Sequence, residues 1–508
     1  MSRQTPHHHR PLISRLGAWL LPVLLLGLLL GLPAASFAEG RFLSFSDLHF
    51  NPFYDQSLAP KLVQADAAQW EGIFATSSQT TLPSYGQESN YPLFSSLLAG
   101  MRQVQPQPDF ILFSGDLLAH HFGERYAQAT GDSSQSGLKS FIAKTVDFFA
   151  RTVDQYFPHT PVYLCLGNND AYAGDYRIIP QGEFLKDSAQ LLASRFFESN
   201  ANQKAFQNQY PLGGYYEVEL PGGEASRLLV LDTNFFSVNY PQEQMTRAAG
   251  YDPGLRELNW LERQLDQARD QGRKVWLMAH IPPGVNVYNT LHEAGNTLYH
   301  LDQVPGFWRE SYRQKFVELL NSHAASIAAV FSGHTHMDDF RLSYLDDQAN
   351  RPAVLIHINP AVSPQFGNNP AFKLFSYRPG SLELLDYTTY YVDVGREGLV
   401  SQGAAASWSQ EYSFRQAYGR RAMNPLELDA IYRGLAWNRS LQDKYMLYYR
   451  VSDTLHPFKP QELKAYRLGI GVLDPAEYKA RYNQSSELYH SSRDASGVML
   501  PLAAAGAY

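Results

Sequence analysis

Short apolar runs recur along the chain, and each stops at a small polar cluster. "RFLSFS" gives way to "DLH" at 47–49, and "FILFS" to "GDLLAHH" at 115–121. "VYLCL" is followed by "GNND" (167–170), "VWLMA" by "HIPPG" (280–284) and "IAAVFS" by "GHTH" (333–336). Two further runs, "RLLVLD" and "AVLIHI", are of the same kind. Runs this short, bounded by Gly, Pro, Asp or Asn, predict buried strands rather than helices. Between them, "LRELNWLERQLDQARDQG" and "SYRQKFVELLNSH" carry helical periodicity. Strands alternating with helices predict a layered α/β domain. In such domains ligand chemistry collects at the carboxyl ends of the strands, which is where each polar cluster falls.

The pattern changes around "GREGLVSQGAAASW" (395–408). Beyond it come the helical pieces "NPLELDAIYRGLAW", with Asn424 as cap and Pro425 in the first turn, then "SLQDKYMLYYR" and "PAEYKARYN". The predicted organisation is a main domain over 39–395 and a helical, Tyr-rich C-terminal subdomain over 396–508. The stretch before residue 39 reads as a signal peptide (1–38). Arg3, Arg10 and Arg15 make a positive start, Leu16 to Leu32 is a nearly continuous apolar segment, and Ser36-Phe37-Ala38 supplies a cleavage site. An uncleaved membrane anchor is the competing reading, since the apolar segment is nearly long enough to span. Pro33 and the small residues after it favour cleavage. The triple histidine at 7–9 lies inside this segment and enters no metal argument.

Composition narrows the partners. The formal charge is −7, and loss of the three leader arginines makes the mature chain −7 − 3 = −10. That balance argues against a nucleic-acid partner. Cys165 is the single cysteine, so no internal disulfide can form. An exported bacterial protein, periplasmic or extracellular, fits this better than a lysosomal one. No later stretch is apolar enough to cross a membrane, and the oligomeric state is left open.

Read singly, each polar cluster is an ordinary turn, helix start or loop histidine, and that is the commoner role for such residues. Read together, five strand ends present Asp47 and His49, then Asp116, then Asn168, then His280, then His334 and His336. These oxygen and imidazole donors suffice for two divalent ions if one carboxylate is shared. A mixture of imidazole, carboxylate and amide oxygen suits zinc, iron or manganese. Two such ions about 4 Å apart polarise a phosphoryl oxygen and generate a hydroxide for in-line attack. Asp338, two residues past His336, is positioned to fix an imidazole tautomer.

The ordered blocks "DLH", "GDLLAHH", "GNND", "HIPPG" and "GHTH" resemble those of the calcineurin-like metallophosphoesterases. Within that superfamily the chain is most similar to the acid sphingomyelinase-like phosphodiesterases. The further likeness lies in "FSGHTHMDDF", in "SPQFGNNPAFKLFSY…LLDYTTYYVD" and in the Tyr-rich tail. The resemblance implies a layered β-sandwich flanked by helices and two bound divalent ions, zinc in this branch, with manganese or iron as alternatives. It assigns Asp47, His49, Asp116 and His336 to the first ion. Asp116 as bridge, Asn168, His280 and His334 fall to the second. His120 is the implied proton donor to the leaving group. Two departures stand out. Asn169 occupies the position of a family histidine, giving a block similar to that of endopolyphosphatases, and Asn51 replaces a frequent Asp.

Three functions follow as expectations. The first is hydrolysis of phosphodiesters, with a phospholipid or head-group substrate. The second is hydrolysis of phosphoanhydrides in polyphosphate or nucleotides. The third is a metal-stabilised binding protein without catalysis, for which only Asn169 speaks.

Overall fold

In a computed structural model, the seven apolar runs form the parallel heart of two mixed sheets. The structure describes residues 1–2, 39–221, 226–345, 351–397 and 406–496, so the signal-peptide expectation for 1–38 lies outside the described residues apart from its first two. The first sheet has the order β12-β11-β10-β1-β2-β3 and the second β4-β5-β6-β7-β9-β8. In the first sheet β1 (Gly40–Phe45), β2 (Ile111–Phe113) and β3 (Val162–Leu164) run parallel. In the second, β5 (Ser226–Leu231), β6 (Lys274–Ala279), β7 (Ile327–Ser332) and β9 (Pro352–Ile358) do the same. Parallel strands covered on both faces have no solvated side, which is why they read as continuous apolar runs.

The remaining strands are antiparallel additions. β4 (Tyr216–Glu219) and β8 (Asp339–Tyr344) edge the second sheet. β10 (Ala371–Arg378), β11 (Glu383–Tyr391) and β12 (Ser409–Ser413) extend the first. The C-terminal stretch therefore contributes one strand to the main sheet before its helices begin. After a short helix Phe414–Tyr418, the longer ones span Pro425–Gly434, Arg439–Tyr449, Leu463–Gly471 and Pro475–Ser496. Asn424 caps Pro425–Gly434 as expected, its side chain accepting from the Glu427 amide. Residues from Glu39 onward group as one unit. Among the described residues no helix is long and apolar enough to cross a membrane.

The two sheets face each other across an aromatic core. Phe42 of β1 lies 5.2 Å from Trp276 of β6 and 5.7 Å from Phe331 of β7, and Phe375 of β10 lies 5.6 Å from Phe331. All four are fully buried, each contributing roughly 1.5–3 kcal/mol by leaving water. Helices cover the outer faces. Phe113 of β2, for example, packs at 5.2 Å on Phe149 of the helix Gln135–Tyr156. Toward the carboxyl ends the interior turns polar. The Asn359 amide donates to Ser44 Oγ and Ser114 Oγ, both at 2.9 Å, joining the sheets.

Candidate metal centre

The turns that leave β1, β2, β3, β6 and β7 converge at one end of the sandwich. All seven predicted ligands meet there, most of them almost wholly buried. Asp47, His49, Asp116, His334 and His336 sit at positive φ, from 43° to 70°. Left-handed backbone is unfavourable for residues with a Cβ and persists where surrounding structure enforces it, commonly at functional sites. The glycines of two blocks serve close approach. A Cβ on Gly167 would lie 2.0 Å from Asp116 Oδ1, and one on Gly333 would lie 2.0 Å from Ser46 Oγ and 2.7 Å from Asp47 Oδ2.

The side chains then present lone pairs to one another. His49 Nε2 and His336 Nε2 are 3.1 Å apart, and His336 Nε2 is 3.6 Å from Asp47 Oδ1. Asp116 Oδ2 lies 3.5 Å from His49 Nε2 and 3.3 Å from His280 Nε2, so it faces both halves of the cluster. Asn168 Oδ1 is 2.9 Å from His334 Nδ1 and 3.3 Å from His280 Nε2. The opposite ring nitrogens of two histidines face backbone carbonyls. His49 Nδ1 lies 3.2 Å from Leu118 O, and His280 Nδ1 lies 2.7 Å from Ser114 O. Protons on those nitrogens leave the Nε2 lone pairs directed inward, as metal coordination requires.

Burial holds His49 down at about 4 and His334 at about 3, and puts His336 well below its ordinary value. Those three rings are neutral donors at pH 7. Burial also lifts Asp47 to about 7, with neighbouring Asp116 adding to the rise. Burial opposes charge on His280 as well, but Asp116 and Asp47 outweigh it and raise the ring to about 9. Converging oxygens, three neutral imidazoles and His280, whose Nε2 proton a bound cation would displace, make a donor set suited to cations. Asp47, His49 and His336 make one group of metal-compatible geometry, and Asp47, Asp116 and His280 another.

Asn169 is buried beside this set. Its backbone N–H donates to Asp116 Oδ1 at 2.8 Å and its amide to Asp116 Oδ2 at 3.0 Å. His120 stacks on His49 at 4.2 Å, and its Nδ1 lies 2.9 Å from the buried Glu88 carboxylate. Burial lowers the His120 pKa, but the hydrogen bond and charge of Glu88 overcome that and raise it above the ordinary 6.5.

One expectation needs correcting. Asp338 fixes no imidazole. Its carboxylate accepts from Lys373 Nζ at 2.8 and 2.7 Å, from Tyr412 at 2.9 Å and from Thr389 at 3.3 Å. The left-handed backbone at His336 (φ 65°) turns the chain between the two residues, so Asp338 faces β10, β11 and β12 while His336 Nδ1 remains buried without a hydrogen-bond partner.

Three supporting residues had no separate signal in the sequence. Asp170 accepts from the amides of Asp116, Leu117, Leu118 and Gly167 at 2.9 to 3.1 Å, tying two of the turns together. It lies inside the "GNND" block, where only its turn role was read. Asp175 accepts from the Asn168 amide at 2.7 Å, which turns Asn168 Oδ1 inward. Glu88 precedes the cap of the helix Tyr91–Val104 and belongs to no periodic pattern that could have flagged it.

Known proteins agree with this architecture. Residues 40–338 match the family described as Calcineurin-like phosphoesterase, and residues 351–487 match the Acid sphingomyelin phosphodiesterase C-terminal region. The human "Acid sphingomyelinase-like phosphodiesterase 3b" is 28% identical over 423 residues, covering 81% of this chain and 83% of the relative. The mouse "Cyclic GMP-AMP phosphodiesterase SMPDL3A" is 27% identical over 428 residues, covering 82% and 85%. "Sphingomyelinase phosphodiesterase C" of Dictyostelium discoideum is 24% identical over 406 residues, covering 78% and 81%. Calcineurin-like phosphoesterases bind two divalent metals, which the donor set above fits. The chain belongs to the calcineurin-like phosphoesterase family, and its C-terminal part matches the C-terminal region of acid sphingomyelin phosphodiesterases.

Proposed function

We propose that this protein is an exported, dinuclear phosphodiesterase, with zinc as the resident metal. Asp47, His49, Asp116 and His336 hold the first ion. Asp116, Asn168, His280 and His334 hold the second. The observation that carries the reading is the pair of imidazole Nε2 atoms 3.1 Å apart beside Asp47 and Asp116. Burial keeps both rings neutral, and a cation beside Asp47 and Asp116 accepts a lone pair from each of these nitrogens at once. When bound, two divalent ions polarise the phosphoryl group and acidify water.

The chain's own residues supply orientation and a proton. Glu88 fixes His120 through Nδ1, so the transferable proton sits on Nε2. Glu88 also favours the protonated ring, the form that can protonate a departing alkoxide. Asn169 carries no titrating proton and instead holds Asp116 from both its backbone and its amide. The names of the relatives, sphingomyelinases and a cyclic dinucleotide phosphodiesterase, support a diester substrate.

A second reading, phosphoanhydride hydrolysis, is favoured by Asn169 alone, since a phosphate leaving group needs less protonation than an alkoxide. Metal analysis with a panel of sphingomyelin, a cyclic dinucleotide, polyphosphate and nucleoside triphosphates decides between them. Turnover of a diester with two ions bound supports the proposal, and turnover confined to polyphosphate or triphosphates refutes it.

A further inference from the structure

An aromatic ring stands at the rim of the cluster with no packing role that accounts for it. Phe366 is 50% exposed, yet its ring centroid is 4.5 Å from that of His336 and 5.8 Å from that of His120, nearly perpendicular to both. Single exposed apolar side chains are ordinary on protein surfaces. This one differs in how firmly it is held. It lies in a tight turn in which the Gly367 N–H donates to Pro364 O at 3.2 Å, and Pro364 O also accepts from Gly86 N. The residues on either side are anchored. Ser363 N donates to Asp47 O at 3.0 Å, and the Asn368 amide donates to Ala361 O and Ser363 O. Asn369 reaches Val451 O at 2.9 Å. Ser363, Asn368 and Asn369 are fully buried while the ring between them is half in water. A rigid turn fastened to the backbone of Asp47 thus presents an apolar surface over the reaction centre.

We infer that Phe366 is a specificity-determining residue that receives an apolar or planar substituent on the oxygen leaving phosphorus. This rests on the diesterase reading, because it places the substituent on the His120 side, where the departing alcohol collects its proton. A ring beside that alcohol stacks on Phe366, and a hydrocarbon chain packs on the same face. A bare phosphate leaving group gains nothing there. Phe366 therefore separates diesters of ring- or chain-bearing alcohols from polyphosphate.

The test uses the metal-loaded protein and three probes that share one head group: methyl-, phenyl- and hexylphosphonate, with binding measured by calorimetry. The expected result is about tenfold tighter binding of phenyl- or hexylphosphonate than of methylphosphonate. Phe366→Ala should abolish that preference, Phe366→Trp should retain it, and metal content should stay the same in all three proteins. Preference for phenyl indicates a ring-bearing alcohol, and preference for hexyl a chain-bearing one. Equal binding of all three probes by the wild type overturns the inference. So does a preference that survives in Phe366→Ala, or loss of metal in that variant. Failure of the diesterase reading is a separate result, seen as hydrolysis of tripolyphosphate but of no diester, and the phosphonate series is read independently of it.

Discussion

Two buried polar clusters sit two residues apart on one turn, and they solve the problem of burying charge in opposite ways. Asp338 faces Lys373, and both are nearly or completely out of water. Tyr412 and Thr389 donate to the same carboxylate, and Lys373 Nζ rests 3.6 Å above the Tyr387 ring. That cluster contains its own counter-charge and donors. Around His336, imidazole nitrogens and carboxylate oxygens crowd together with no lysine or arginine paired to them among the described residues, the backbone is left-handed and one ring nitrogen has no partner. A buried cluster that closes on itself is structural, whereas one that closes only around an added cation is a binding site.

The contrast can be broken at several points. Asp116→Ala should remove most bound metal and essentially all turnover with the fold retained, because the carboxylate faces both halves of the cluster. Normal metal stoichiometry in that variant would refute the bridge. His120→Gln should slow hydrolysis of a natural diester by about 10²–10⁴-fold while barely affecting a nitrophenyl ester, whose leaving group departs without a proton. Equal losses on both substrates would assign His120 to phosphate or metal positioning instead. With the pKa of His120 raised, kcat/KM should fall as pH rises through that value, since the acid form is the active one.

On the self-contained side, Lys373→Met strands the Asp338 carboxylate and should cost about 3–5 kcal/mol of stability with metal content intact. Chemical denaturation measures this, and the double variant Lys373→Met/Asp338→Leu should recover much of the loss. If the single variant lost metal instead, the two clusters would be one system. The smallest effect is expected at Asp175→Ala. Releasing the Asn168 amide should weaken metal affinity by about 10–100-fold, read by competition with a chelator. Unchanged affinity would leave Asp175 as a loop residue only.

The sequence exposed the parts of the fold whose environment is uniform. β1, β2, β3 and the parallel strands of the second sheet are covered on both faces, and their apolar runs were legible. β11 was not, because its "ELLDYTTYY" alternates buried and partly exposed positions and carries an Asp and two Thr. β12 hid for the same reason, in a stretch read as helical. The seven proposed ligands were legible because each follows such a run. Glu88, Asp175 and Phe366 were not, since each acts through a contact distant in sequence, as Glu88 does with His120, 32 positions away. Asp338 misled for the converse reason, since two residues close in sequence across a left-handed turn need not face the same side, and the positive φ of His336 left no mark in the sequence.

The proposed ligands divide between the sheets, with Asp47, His49, Asp116 and Asn168 following strands of the first and His280, His334 and His336 following strands of the second. An ion pair bound among them would act as a rivet through two plates at one edge. Loading the metal would stiffen that edge against splaying and leave the opposite end of the sandwich to the aromatic core alone. Mechanically, the protein would become a hinge closed at the end where its chemistry takes place.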